Sequence, residues 1–103
     1  MQKYQVNITC SAELDILDIY NCIAQDNQDA ATKWITEIER QIKSLETFPL
    51  RCAVMREAKE LGEAYRQIIY GEYRTIFCVD SSIVTILRVI HSARLFDLTM
   101  FEL

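Results

Sequence analysis

Residues 65–91 read Tyr65-Arg66-Gln67-Ile68-Ile69-Tyr70-Gly71-Glu72-Tyr73-Arg74-Thr75-Ile76-Phe77-Cys78-Val79-Asp80-Ser81-Ser82-Ile83-Val84-Thr85-Ile86-Leu87-Arg88-Val89-Ile90-His91. Three runs rich in β-branched and aromatic residues are separated by Gly71-Glu72 and by Asp80-Ser81-Ser82. Strand-formers bounded by such short turn signals predict three strands joined by hairpins. The last run, Ile83 to His91, is the most hydrophobic and is expected at the centre of the sheet.

Toward the N-terminus the period lengthens. Ala12, Ile16, Ile19, Tyr20 and Ile23 recur on one face of a helix predicted over residues 11–25, widened by Leu14 and Leu17. Ser11 is a candidate N-cap, and Glu13, Asp15 and Asp18 lie where the helix dipole favours negative charge. Asp26-Asn27 breaks the pattern and can cap a second helix over 28–47. Its stripe is Ala31, Trp34, Ile35, Ile38, Ile42 and Leu45, and it ends at Phe48-Pro49. Ahead of both helices, Tyr4, Val6 and Ile8 alternate with polar residues, which predicts a strand over Tyr4 to Thr9. Residues 50–63 show no clean period, and the charged segment Arg56 to Glu63 reads as a solvated loop turning near Gly62. The tail Leu95 to Leu103 is unusually apolar.

The order is thus β-αα-βββ, an α+β fold in a single domain spanning 1–103. The helical hairpin is expected to cover one face of a small antiparallel sheet, with Tyr4–Thr9 at one edge. The other face, carrying arginines, is left for a partner. A chain of 103 residues that is 50% hydrophobic and 25% charged can build one core without staples. No apolar run approaches the roughly 18 to 20 residues of a membrane helix, and the first residues lack a secretory signal, so a cytoplasmic protein with no membrane association is expected. Cys10, Cys22, Cys52 and Cys78 form no Cys-x-x-Cys pair, and His91 is the only histidine. No metal site and no cofactor are expected, and the cysteines read as buried free thiols.

A formal net charge of −4 speaks against a large phosphate-binding footprint. That charge sits wholly in residues 1–64. Residues 65–103 balance, and all their cations are arginines: Arg66, Arg74, Arg88 and Arg94. Arginine suits bidentate, partly buried anion contacts, so any chemistry is expected in this half, beside His91. Each residue also has a structural reading. Arg74 could pair with a carboxylate to hold the hairpin, Arg88 with Asp80 or Glu72, and Trp34 belongs in the core.

In this order the motifs Ala12-Glu13-Leu14-Asp15-Ile16, Ile19-Tyr20-x-x-Ile23-Ala24, Leu45-x-x-Phe48-Pro49, Tyr65-Arg66, Tyr70-Gly71-x-Tyr73-Arg74 and Val84 to Arg94 resemble the RelE/ParE superfamily of type II toxins. The resemblance runs over about 90 residues and implies the same β-αα-βββ fold. It implies a toxin held inactive by a cognate antitoxin whose binding segment folds on the toxin. RelE-like members cleave mRNA on the ribosome, and ParE-like members inhibit DNA gyrase. The family's cation positions carry over to Arg66, Arg74 and Arg94, and His91 could act as acid or base; these four are the candidate catalytic residues of a RelE-like enzyme. Ile68 stands where that branch has a lysine, and Met100 and Phe101 where it has a tail tyrosine. DNA gyrase is therefore the favoured target over ribosome and mRNA. A third reading is an inactive member that only binds antitoxin. The tail, residues 95–103, is a candidate surface for antitoxin contact or for a homodimer.

Overall fold

The structure, a computed structural model, describes residues 3–61 and 64–94. The tail 95–103 and the turn at Gly62 lie outside the described residues. The elements are β1 (Gln5–Ile8), α1 (Cys10–Asp26), α2 (Gln28–Ser44), a 3-10 turn (Pro49–Arg51), α3 (Ala58–Leu61), β2 (Arg66–Tyr70), β3 (Tyr73–Asp80) and β4 (Ile83–His91).

One residue, Asn27, separates the two long helices. Its side-chain oxygen accepts from the Ala30 N–H, and its own N–H donates to the Ile23 carbonyl, so it ends α1 and caps α2 at once. Thr9, not Ser11, caps α1: its hydroxyl accepts from the Ala12 N–H at 3.1 Å and donates to the Leu87 carbonyl at 3.0 Å. The second bond ties the start of the helix to the sheet, which a cap at Ser11 would not do.

The four-stranded sheet has the order β1-β4-β3-β2, with β4 internal and β1 at one edge. It is mixed rather than wholly antiparallel, because β1 runs parallel to β4, with Gln5 opposite Ile83 and Ile8 opposite Ile86. Tight turns force β2, β3 and β4 to alternate. The chain between β1 and β4 is long and includes both helices, and a long connection leaves the strands free to run parallel. Gly71 and Ser81, the first residues of the two hairpin turns, take φ of +59° and +56°. A positive φ at that position matches the turn to the strand twist; glycine adopts it freely and serine at some cost.

The principal core lies under the helical hairpin. Ala12, Trp34, Ile38, Ile42 and Leu45 pack on Phe77, Val84, Ile86 and Val89. Trp34 is buried, as its helical spacing predicts. The opposite face of the sheet is not left open. Met55, Ala58, Ile76 and Ile90 form a second core, with Leu61, Tyr65 and Leu87 packed against it. The segment expected to be a solvated loop thus folds onto the sheet, since Met55, Ala58 and Leu61 recur at helical spacing and present one apolar face.

None of the four cysteines is fully buried: Cys10 and Cys22 are exposed, Cys52 and Cys78 partly so. Burial pushes the Cys52 thiol above its ordinary pKa, against the opposing pull of Arg51 and Arg66. Iodoacetamide at pH 7 should therefore label Cys10 and Cys22 first and Cys52 at least tenfold more slowly, the gap narrowing as pH rises. Peptide mapping of a labelling time course checks this; equal early labelling at all three would contradict the burial of Cys52.

Candidate functional site

The turns and register of β2, β3 and β4 decide where the candidate residues lie. Arg66 opens β2, and its Nη1 donates to the carbonyls of Leu50 and Cys52 at 3.3 and 2.6 Å. It fastens the chain after α2 to the sheet edge, where Val54 also bridges to Arg66. Arg74, on β3, is only 1% exposed. Its Nη1 donates to Glu57 Oε1 and to Gln67 Oε1, both at 2.9 Å. Its Nη2 donates to Glu57 Oε2 and to the Arg94 carbonyl. This is a bidentate arginine–carboxylate pair in a buried site, and both Nη atoms are engaged by the protein itself.

His91 ends β4 opposite Tyr73 and is exposed. Its Nδ1 accepts from the Ala93 N–H at 3.1 Å, and its ring meets Tyr73 edge-on at 5.8 Å. Arg94 is exposed and reaches back through its N–H to the His91 carbonyl at 2.9 Å. Burial pushes the Tyr73 phenol above its ordinary pKa, and the neighbouring Glu72 carboxylate adds to that. Tyr73 therefore holds its proton at neutral pH and does not offer a ready base.

The structure thus brings His91, Arg94 and the Arg74–Glu57 pair to one end of the sheet, where Arg56 Nη2 also donates to the Ser92 carbonyl at 3.3 Å. Arg66 is bound elsewhere and shares no partner with Arg74. The paired reading of Arg74 holds, and its partner is Glu57. Glu57 lies in the segment whose charged residues predict a solvated loop. The signal that could have exposed it is an arginine among the apolar residues of a buried strand, which demands a carboxylate.

Arg88 pairs with neither Asp80 nor Glu72. Its Nε and Nη2 donate to Asp15 at 2.6 and 2.8 Å, and the Val89 N–H donates to Asp15 Oδ2 at 3.0 Å. β1 pairs with β4 only as far as Ile86, so α1 borders the remaining edge and Asp15 satisfies its backbone. The hydrogen bond to Asp15 holds the Arg88 pKa above its usual value.

Among the described residues, no three His, Cys, Asp or Glu side chains gather as metal ligands, and no helix is long and apolar enough to cross a membrane.

Residues 6–96 match the model of a family described as "ParE toxin of type II toxin-antitoxin system, parDE". The fold is similar to that in a solved structure described as a chromosomal ParDE toxin–antitoxin system from P. aeruginosa. There the TM-score is 0.69 at 21% identity, over 88% of this chain and 98% of that one. It is also similar to a chain of the toxin–antitoxin complex RelBE2 from Mycobacterium tuberculosis. There the TM-score is 0.57 at 24% identity, over 86% of this chain and 98% of that one. No curated protein sequence matches the chain.

Proposed function

Because the chain belongs to the ParE toxin family of type II toxin–antitoxin systems, we propose that it acts by contact with a protein target, DNA gyrase, and not by cleaving RNA. A cognate antitoxin neutralises it, through a segment that is disordered alone and folds on binding. The observation that carries this reading is the burial of Arg74. A ribonuclease needs cations free to meet the charge that develops on a phosphate. Here the Arg74 guanidinium is spent on Glu57, Gln67 and the Arg94 carbonyl. Arg66 is likewise bound to backbone carbonyls. Of the four candidate residues only His91 and Arg94 stay exposed, on a chain of net charge −4.

The test uses two assays side by side. Purified protein should block supercoiling of relaxed plasmid by gyrase with no RNA present. It should leave ribosome-bound mRNA intact. A-site cleavage that is lost in both His91→Gln and Arg94→Ala, with supercoiling untouched, would establish the nuclease instead. Silence in both assays would mark an inactive member that only binds antitoxin.

A further inference from the structure

Phe48 enters the 3-10 turn after α2 in the left-handed conformation, with φ +53° and ψ +49°. That conformation is costly for a bulky side chain, and the residue before a proline is ordinarily extended. Burial does not offset the cost, because Phe48 is 62% exposed. Leu50 and Val54, which follow in the same linker, are 54% and 47% exposed. Phe48 and Leu50 line a pocket of about 490 Å³ with Tyr4 and Arg51. A second pocket, of about 460 Å³, shares Arg51 and adds Arg40, Ser44 and Cys52. Neither is lined by an Asp or a Glu.

Arg51 is fixed in place. Its Nη1 donates to the Thr47 and Phe48 carbonyls at 3.0 and 2.9 Å, and its Nη2 to Ser44 Oγ at 2.9 Å. None of these acceptors is a carboxylate, so the positive charge stands uncompensated. Arg66, bound to the carbonyls of Leu50 and Cys52, adds a second. Burial raises the Cys52 pKa, and both guanidiniums stand close enough to oppose that rise. Arg40 lies at the margin, paired with Glu37. On a chain of net charge −4, an apolar face thus sits under local positive charge.

We propose that this face is where the chain meets its protein target, and that it takes a segment with an apolar side chain flanked by Asp or Glu. The apolar side chain enters between Tyr4, Phe48 and Leu50, and the carboxylate meets Arg51. The identity of that target, DNA gyrase, rests on the proposed function; the chemistry of the face does not. Charge complementarity selects the occupant. Nucleic acid would also be drawn to the arginines, but a net charge of −4 opposes a polyanion that extends past them. A second copy docking face to face would set Arg51 against Arg51. A strained aromatic held out in solvent suits a contact surface, where a rigid ring serves as anchor.

Phe48→Asn is the central test, because asparagine adopts the left-handed conformation more readily and carries no ring. The melting midpoint should stay unchanged or rise. The concentration that blocks supercoiling by gyrase should rise at least tenfold. Leu50→Ser should weaken inhibition in the same way. Leu17→Ser, which removes a leucine of similar exposure from α1, should not. Random 16-residue peptides displayed on phage and panned against the full chain give a readout without gyrase. Enriched peptides should be acidic around an aromatic or aliphatic residue, and should bind Phe48→Asn at least tenfold more weakly. Full inhibition by both variants, failure to enrich any peptide, or peptides that are basic or indifferent to Phe48→Asn would overturn the proposal. So would binding of single-stranded DNA, or dimerisation of the free chain, that Phe48→Asn abolishes. A wild-type chain that leaves gyrase untouched would overturn the target assignment alone, and the peptides would still decide the face.

Discussion

Glu57→Ala should lower the unfolding free energy by about 3–5 kcal/mol, against a total for such a domain of about 5–15 kcal/mol. The side chains of Arg74 and Glu57 are 1% and 7% exposed. Removing the carboxylate leaves a guanidinium in the interior with only Gln67 and a backbone carbonyl to satisfy it. Such a residual charge costs more than the pair itself contributes. Two further variants separate these quantities. Glu57→Gln keeps an acceptor and should lose less, and Glu57→Met with Arg74→Met removes both charges and should recover much of the loss. The exposed pair Arg40–Glu37 is the contrast: the hydrogen bond from Arg40 lowers the Glu37 pKa, yet on the surface, screened by water, its deletion should cost far less than that of Glu57. Urea denaturation of the set reads all of these. A loss below about 1 kcal/mol for Glu57→Ala would mean that water reaches the pair.

Trp34→Ala should cost a similar amount, about 3–5 kcal/mol, by a different route. Trp34 is 6% exposed, belongs to the main core, and meets the Tyr73 ring edge-on at 5.7 Å. Alanine leaves a cavity that the helices and sheet cannot close without disturbing both. Phenylalanine is the informative companion. Among the described residues the Trp34 Nε1–H finds no acceptor, and a buried donor without one is unfavourable by about 1–3 kcal/mol. Trp34→Phe removes that donor while keeping a ring in the site, so it should cost well under half as much as alanine. Denaturant melts followed by circular dichroism check this, since the chain's one tryptophan is the residue removed. Equal losses for the two variants would show that Nε1 is satisfied.

The helical hairpin and the strands after residue 65 were legible because each is written in local periodicity. Asn27, Gly71 and the stripe through Trp34 needed no knowledge of the remaining chain. The misreadings share one physical origin. The direction of β1, the partner of Arg88 and the role of Glu57 depend on residues far away in the chain. Asp15 meets Arg88 across 73 positions, and Glu57 meets Arg74 across 17. Local pattern identifies a buried arginine's need for a carboxylate but not which carboxylate answers it. The face of the sheet thought open was closed by Met55, Ala58 and Leu61, whose spacing was obscured by the charged residues among them. For the candidate site, the positions of His91 and Arg94 followed from the strand reading. The burial of Arg74 and the tying of Arg66 to backbone carbonyls did not.

The parallel pairing of β1 with β4 also governs when this protein can come into being. Each β1 residue meets the residue 78 positions later, as Gln5 meets Ile83. On a translating ribosome at about 5–20 residues per second, the first strand waits about 4–16 s for its neighbour to be made. During that interval the two helices exist without most of the sheet that buries their apolar stripe. Contacts this distant in sequence also slow folding after synthesis, because loop closure precedes any gain from pairing. The nascent chain is thus exposed to proteases and chaperones until its central strand emerges. A binding partner that engaged β1 and the helices early would meet an unfinished molecule, before β4 could complete it.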